Sequence, residues 1–304
     1  MSKHVAVLMG GWSAERDVSL VSGAAVVEAV KQCGYRASPI DVGRDLAQVL
    51  SQTKPDIVFN ALHGTFGEDG SVQGLLEMLN LPYTHSGVMA SAIAMHKPTA
   101  KRLFSEVGIP VAEGKVLHRK QVMAGELPSR PYVIKPINEG SSVGVRIVQD
   151  GDNFSPKDDM PWPYGEEVLV ERYIPGREIQ VAVMGDTVLG AIEIRPQGRF
   201  YDYEAKYTDG RAIHLMPAPI APSAYEEACR LALLAHQTLG CRGVSRADLR
   251  YDDTRGEPGQ FYMLEINTQP GMTPLSLVPE IAAHRQITFP DLVRWIVEDA
   301  GCAR

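Results

Sequence analysis

The 304-residue sequence lacks long apolar runs, long basic runs and paired cysteines. No stretch approaches the roughly 20 apolar residues of a membrane-spanning helix, and the apolar run near the N-terminus is too short for a secretion signal. With a net charge of −7 and no basic run longer than 118–120, we expect neither membrane insertion nor nucleic-acid binding. The four scattered cysteines form no C-x-x-C motif, which indicates ordinary thiols in a cytoplasmic protein and argues against structural zinc.

Two common nucleotide-binding motifs are also missing. "GGWSAE" (10–15) does not have the G-x-G-x-x-G spacing of a dinucleotide fold, which argues against a dehydrogenase. "KPINEGSSVGV" (135–145) is not a P-loop, because Lys135 precedes the glycines and lies in a predicted strand. A glycine-serine loop between two antiparallel strands can still cover a triphosphate, although a plain hairpin turn remains the alternative for this stretch alone.

The order of predicted elements indicates an α/β protein whose C-terminal part is α+β. Strands at 4–11, 35–42 and 55–62 alternate with helices at 19–34 and 71–80, and a short strand follows at 81–87. This order predicts a doubly wound parallel-sheet domain over 1–95. From Val111 onward, short strands with alternating polarity predict antiparallel sheet, which we divide into 96–180 and 181–304.

Three helices and one loop complete the prediction. Helices are expected at 97–108, 222–240 and 289–300, and the segment 150–165 is expected to be a surface loop. For the second helix, Ser223 and Glu226 have the spacing of a capping box, and Gly240 is the expected stop.

Two carboxylates near the C-terminus point to a cation site. If 243–252 and 259–267 form a hairpin centred near Gly256, Asp248 lies opposite Leu264 and Glu265. Alternation then places Arg246 and Asp248 on one face, together with Met263, Glu265 and Asn267 of the partner strand. Carboxylate and amide oxygens suit Mg²⁺, and an arginine beside them could stabilise developing negative charge. An exposed, charged hairpin is the alternative interpretation.

Taken in order, these segments resemble the ATP-grasp ligases, and specifically the D-alanine–D-alanine ligase family. The resemblance covers nearly the whole chain and rests on seven stretches, which are "GGWSAERDVS", "ALHGTFGEDGSVQGLLE", "YVIKPINEGSSVGV", "LVERYIPGREI", "YEAKYTDG", "GVSRADL" and "LEINTQPGMTPLSLVP". It implies an ATP-grasp fold behind a doubly wound parallel-sheet domain. It also implies a cytoplasmic enzyme that uses ATP, two Mg²⁺ or Mn²⁺ ions and D-alanine, and that can form a homodimer.

The resemblance implies the following ATP-binding residues. Lys97 and Lys135 would hold the phosphates, and the loop Glu139–Gly144 with Ser142 would close over them. Glu171 would accept a hydrogen bond from the adenine amino group, and Glu178 would bind the ribose hydroxyls.

The resemblance also implies the metal and substrate residues. Asp248, Glu265 and Asn267 would ligate the ions, with Glu265 bridging them. Glu15 would hold the ammonium of the first D-alanine, and His63 would lie nearby. Arg246 and the backbone N–H of Gly271 would stabilise the oxyanion, and Ser276 and Leu277 would bind the second D-alanine. Ser141 would contact the substrates, and a segment bearing Lys206 and Tyr207 would close over the site.

Two alternatives remain at this point. A related ligase could take D-lactate as second substrate, although Tyr207 goes with dipeptide formation in this family. A catalytically silent nucleotide-binding regulator would be expected to lack metal ligands or Arg246, and all of these are present. One departure from the family is His96 in "MHK", where many relatives have aspartate, and we expect little effect because Lys97 is retained.

Overall fold

The computed structural model of the chain describes residues 2–140, 144–152, 162, 164–196 and 210–303. Its N-terminal part contains a three-stranded sheet of β1 (His4–Met9), β2 (Arg36–Asp41) and β3 (Ile57–Asn60). The strands lie in the order β2-β1-β3 and both pairings are parallel, which confirms the predicted sheet. The short strand and turn predicted at 81–87 contain a single bridging residue, Tyr83, which pairs with Val58 and Gly301.

Helices cover both faces of this sheet. They are α1 (Arg16–Gln32), α2 (Leu46–Thr53), α3 (Ser71–Met78) and α4 (Val88–Met95). Along β1, Val5 and Val7 pack in the core that contains α1, whereas Ala6 and Leu8 pack with Leu46 of α2. Alternate side chains of one strand therefore enter two separate cores, as a doubly wound sheet requires. The sequence reading missed α2 and α4.

The next part of the chain is antiparallel. After α5 (Lys97–Glu106), a four-stranded sheet forms in the order β4-β7-β5-β6. Its elements are β4 (Gly114–His118), α6 (Arg119–Met123), β5 (Tyr132–Pro136), β6 (Arg146–Val148) and β7 (Glu167–Arg172). The glycine-serine loop joins β5 to β6, which pair antiparallel as predicted.

A second antiparallel sheet has five strands in the order β10-β9-β8-β11-β12. They are β8 (Arg177–Met184), β9 (Thr187–Pro196), β10 (Ala212–Leu215), β11 (Val244–Asp252) and β12 (Gln260–Asn267). Three helices accompany it, namely α7 (Pro222–Thr238), α8 (Leu277–His284) and α9 (Phe289–Glu298). The division at 95 and 180 stays a prediction. Strand β8 runs across residue 180, and among the described residues it pairs only with strands of this sheet.

Helix α7 packs against this sheet through small side chains. Ala224, Ala228, Ala232 and Ala235 recur at a spacing of three or four residues, and each is at most 3% exposed. The predicted capping box is wrong, because Ala221 is the N-cap and Pro222 occupies the first turn. Proline at this position needs no N–H partner, and the helix begins at Pro222 as predicted. Gly240 follows the C-cap with a φ of +68° and ends the helix as expected.

The longest described helices, α1 and α7, have 17 residues each. In the part of the chain that the structure describes, no helix is long and apolar enough to cross a bilayer.

All four cysteines are free thiols, as expected. Burial raises the pKa of Cys229 to about 11 and that of Cys241 to about 12. Both thiols are therefore protonated at neutral pH and unreactive.

Candidate active site

The hairpin of β11 and β12 brings the predicted metal ligands together. Asp248 pairs with Glu265, and Arg246 pairs with Asn267, which confirms the predicted register. The register shifts between Asp248 and Leu249, so that Leu264 is the extra residue of a β-bulge. The bulge puts Leu264 and Glu265 at the same cavity.

The bulge overturns one detail of the sequence prediction. Met263 does not share the face of Glu265, because it pairs with Leu249 and is fully buried in the core beneath α7. The sequence could not reveal this, since strict alternation is what a bulge interrupts.

Cationic side chains contact both carboxylates. Arg246 donates to both oxygens of Asp248, at 2.7 and 3.0 Å. The Nζ of Lys97 lies 3.4 Å from Glu265 and also donates to the carbonyl of Glu139. Two facing carboxylates and an amide oxygen form a hard-oxygen donor set that fits Mg²⁺ or Mn²⁺ with phosphate oxygens completing the shell.

Helix α5 places Lys97 at its first residue. The side chain of His96 caps this helix by accepting from the N–H of Thr99 at 3.2 Å, and its Nδ1 also lies 2.7 Å from the Thr99 hydroxyl. The histidine therefore occupies a capping position at which aspartate is also favoured. The capping role agrees with the expectation that the departure in "MHK" has little effect.

A cavity of about 430 Å³ lies against this hairpin, bordered by both antiparallel sheets. Its lining includes the following predicted ATP and metal residues: Lys97, Lys135, Glu139, Glu171, Glu178, Asp248 and Glu265. The volume is in the range of small-molecule sites. Apolar walls come from both sheets, through Val133, Ile147 and Ile194, and from Ile174 in the segment between β7 and β8. Such walls suit a planar base.

Glu171 is the most buried carboxylate of this lining apart from Glu193. Lys135 of β5 lies 2.6 Å from one of its oxygens, and Lys101 of α5 contacts the other oxygen. Burial raises the pKa of Glu171, but the charges of Lys135 and Lys101 outweigh burial and lower it. The sequence reading missed Lys101, which comes one helical turn after Lys97.

At the rim of the cavity, Glu178 accepts from Gln180 at 3.3 Å and lies 3.9 Å from Arg250. Arg177 and Arg195 each donate to both oxygens of Glu193. Burial raises the pKa of Glu193, but its hydrogen bonds to the two arginines outweigh burial and lower it. The sequence reading did not identify this rim cluster.

Glu15 borders the glycine-serine loop. It precedes α1 and is 6% exposed. A Cβ on Gly64 would lie 2.6 Å from its Oε2, and one on Gly140 would lie 3.3 Å away. Two glycines therefore make the close approach possible, and the predicted first-substrate residue meets the predicted phosphate loop.

His63 is fixed by two partners. Its Nδ1 lies 2.9 Å from Glu68, and its Nε2 lies 3.1 Å from the hydroxyl of Ser22. Burial lowers the pKa of His63, but the hydrogen bond and charge of Glu68, and then the charge of Glu15, raise it to above its usual value. Burial also raises the pKa of Glu68. The sequence reading missed Glu68, although it lies within the same "HGTFGEDG" stretch.

Gly271, the predicted oxyanion donor, lies close to both His63 and Ser276. A Cβ on Gly271 would lie 2.8 Å from the hydroxyl of Ser276 and 4.0 Å from His63. Ser276 is the N-cap of α8 and its hydroxyl accepts from the N–H of Thr273 at 2.9 Å. The side chain of Leu277 is buried in the core, so only its backbone N–H could reach a ligand.

A buried amide pair connects the N-terminal sheet to the segment that follows β12. Asn60, at the end of β3, donates to Gln269 Oε1 at 2.5 Å, and Gln269 Nε2 donates to the carbonyl of Leu62. The backbone N–H of Gln269 donates to Asn267 Oδ1 at 2.9 Å. An amide oxygen has two acceptor positions, so Asn267 can still ligate a cation.

Replacing Gln269 by alanine is expected to destabilise the fold by about 1 to 3 kcal/mol, because it leaves the carbonyl of Leu62 buried without this donor. The change is measured as the free energy of unfolding in urea. Gln48 on α2 is exposed, and its replacement by alanine is the matched control with an expected effect within about 0.5 kcal/mol. Equal stabilities of the two variants would contradict this assignment.

Four predicted residues, Ser141, Ser142, Lys206 and Tyr207, lie outside the described residues. The other predicted residues fall into two adjoining groups. The ATP and metal residues adjoin the cavity and the hairpin. Glu15, His63, Gly271 and Ser276 form the second group, around the loop that follows β3.

Comparison with known proteins identifies the family of the chain. A family model for the D-ala D-ala ligase C-terminus matches residues 103–298, and one for its N-terminus matches 46–86. The chain is 60% identical to a D-alanine–D-alanine ligase of Paramagnetospirillum magneticum, over 99% of this chain and 100% of the relative. It is 59% identical to one of Rhodospirillum rubrum, over 99% of each chain.

Solved structures agree with the sequence relatives. A D-alanine–D-alanine ligase from Bacillus anthracis complexed with ATP superposes with a TM-score of 0.82 at 28% identity, covering 98% of this chain and 97% of that chain. The VanG D-Ala:D-Ser ligase from Enterococcus faecalis gives 0.80 at 28% identity, covering 98% and 99%. The fold is therefore that of the ATP-grasp ligases, as the resemblance implied.

Proposed function

Because the chain belongs to the D-alanine–D-alanine ligase family, we propose that it joins two D-alanine molecules with ATP to form D-alanyl-D-alanine. The products besides the dipeptide are ADP and phosphate, and the dipeptide serves peptidoglycan synthesis. The observation that carries this proposal is the close approach of Glu15 to the loop at Gly140. An ammonium held by Glu15 would place the attached carboxylate next to phosphates held under that loop.

The chemistry requires an activated acyl group, because a carboxylate does not react with an amine in water. A carboxylate oxygen of the first D-alanine attacks the γ-phosphorus, ADP leaves, and an acyl phosphate forms. The amine of the second D-alanine then attacks the acyl carbon, loses a proton, and phosphate leaves. Positioning and charge stabilisation account for most of the catalysis in such reactions, which suits a site of lysines, arginine and backbone donors.

The nucleotide would lie in the cavity. Lys97 and Lys135 would hold its phosphates, with Glu139 and Ser142 in the loop above them. Glu171 would accept from the adenine amino group, and Glu178 lies at the rim where ribose hydroxyls would bind.

Divalent cations would bind at the hairpin. Asp248, Glu265 and Asn267 would hold them, with Glu265 between two ions. Bound cations of this kind neutralise charge on the phosphoryl oxygens. The number of ions stays a prediction.

The substrate residues would act around the acyl carbon. Arg246 and the N–H of Gly271 would donate to the tetrahedral oxyanion. Ser276 and the N–H of Leu277 would bind the second carboxylate, and His63 lies beside the first D-alanine. Ser141, Tyr207 and Lys206 keep the substrate-contact and closing roles that the resemblance gives them.

The alternative second substrate, D-lactate, is not favoured, because the sequence relatives at 56–60% identity are D-alanine–D-alanine ligases. A homodimer and a cytoplasmic location stay predictions.

The test is ADP release measured with ATP, Mg²⁺ and D-alanine, with the product identified by mass. We expect release that depends on D-alanine and matches dipeptide in amount. ADP release only with a different acid or amine would move the substrate assignment. ATP binding without turnover of any such pair would overturn the proposed function.

A further inference from the structure

Two buried lysines contact one carboxylate that lines the cavity. Lys135 lies 2.6 Å from one oxygen of Glu171, and Lys101 contacts the other oxygen. The three side chains come from different elements, β5, α5 and β7, and none is more than 8% exposed. Burying two ammonium groups for one carboxylate is costly, so the second lysine needs an explanation.

The two lysines differ in their access to a ligand. Lys135 and Glu171 both line the cavity, whereas Lys101 is absent from the lining formed by the described residues. Lys101 therefore lies behind Glu171 and contacts it from the protein side. A nucleotide can engage Lys135 and Glu171, and it leaves the contact of Lys101 with Glu171 in place.

This arrangement matters once a nucleotide binds. If Lys135 turns to a phosphate or to the base, Glu171 loses one of its two counter-charges. A buried carboxylate without a counter-charge takes up a proton. Lys101 is the cation that remains to prevent this.

We propose that Lys101 is a positioning residue that keeps Glu171 ionised and oriented as a pure hydrogen-bond acceptor, and that it thereby selects 6-aminopurine over 6-oxopurine nucleotides. The proposal rests on the proposed function only in placing the base at Glu171.

The chemistry of the base explains the selection. An ionised carboxylate can only accept hydrogen bonds. The 6-amino group of adenine donates to it, whereas the 6-oxo group of inosine presents a second acceptor and is repelled. A protonated Glu171 could donate to the 6-oxo group, and the discrimination would be lost.

The electrostatics of the free protein support this role. Burial, followed by the charge of Lys135, lowers the pKa of Lys101 to about 8. When Lys135 turns toward a phosphate, its repulsion of Lys101 weakens. Lys101 then becomes more fully charged at the moment when Glu171 depends on it alone.

The experiment compares ATP and ITP in the full-length protein carrying Lys101→Met. We expect KM for ATP to rise about tenfold with a much smaller change in kcat, and the preference of kcat/KM for ATP over ITP to fall about tenfold, the size of one hydrogen bond to a charged group. KM for D-alanine should stay unchanged. Lys120 is exposed on α6, and Lys120→Met is the matched control with wild-type values.

A double-substitution cycle separates this role from simple packing. Glu171→Gln carries no charge and needs no counter-ion, so adding Lys101→Met to it should leave the ATP/ITP preference where Glu171→Gln alone puts it. The double variant removes one buried positive and one buried negative charge, so it keeps the net charge of the wild type and provides the test if Lys101→Met does not fold. An unchanged ATP/ITP preference in Lys101→Met, or fully additive effects of the two substitutions, would overturn the proposal.

Nucleotide binding alone keeps the two proposals distinguishable. Calorimetric titration with ATP and with ITP, without D-alanine, measures the same preference in each variant. Loss of the preference in Lys101→Met supports the proposal even if D-alanine is not the substrate. An unchanged preference overturns it even if the protein makes the dipeptide.

Discussion

Replacing Glu265 by glutamine is expected to lower D-alanine-dependent ADP release by roughly 10³-fold. Glu265 lies opposite Asp248 and 3.4 Å from Lys97, so it lies between the other proposed cation ligand and a lysine that is proposed to hold the phosphates. A bound cation contributes several kcal/mol of transition-state stabilisation, and each 1.36 kcal/mol corresponds to about tenfold in rate. An amide of the same shape is a weaker ligand without charge.

The measurement needs a readout that does not depend on turnover. Mn²⁺ titration followed by electron paramagnetic resonance should show weaker binding in Glu265→Gln, while the denaturation midpoint changes little because the side chain is 26% exposed. Glu226 is exposed on α7, and Glu226→Gln is the control for loss of one negative charge. Normal turnover and Mn²⁺ affinity in Glu265→Gln would refute the metal assignment.

The sequence alone predicted the carboxylate pair because the position of the turn largely determines which residues pair in a hairpin. Counting outward from a turn centred near Gly256 places Asp248 opposite Leu264, next to Glu265, and the bulge then makes Glu265 the partner. The bulge at Leu264 could not be predicted, because the sequence pattern of β12 is compatible with strand pairing both with and without an extra residue. The prediction for Met263 failed for this reason, whereas that for Glu265 did not.

Contacts between segments that are distant in the sequence were the main features that could not be predicted. Lys101 meets Glu171, and Gln269 meets Asn60, only because separate sheets and helices pack together. The spacing of residues within one segment does not indicate such contacts. Both pairs consist of buried polar residues that have no distinctive pattern in their own segments. Glu68 differs, because it lies five residues after His63 in one loop, and a search for histidine partners within the loop would have identified it.

Replacing Arg246 by alanine is expected to reduce dipeptide formation by about 10²- to 10³-fold, which is the usual cost of removing one oxyanion donor. The arginine is proposed to act on the tetrahedral intermediate, which forms after ADP has left. Dipeptide formation should therefore fall further than ADP release, and the ratio of dipeptide to ADP should drop below one. A ratio that stays at one would contradict a role confined to the second step.

The same substitution should also reveal what Arg246 does for Asp248. Asp248 is 4% exposed and both of its oxygens accept from Arg246, so the alanine variant leaves a buried carboxylate without this partner. Breaking such a pair costs about 3 kcal/mol of unfolding free energy, and added Mg²⁺ should restore part of it by binding the folded state. Arg246→Lys separates the two effects, because it keeps a positive charge near Asp248 but loses the forked donor geometry. We therefore expect the lysine variant to be nearly as stable as the wild type and to form dipeptide almost as slowly as the alanine variant. A lysine variant with wild-type dipeptide formation would show that charge alone suffices at this position.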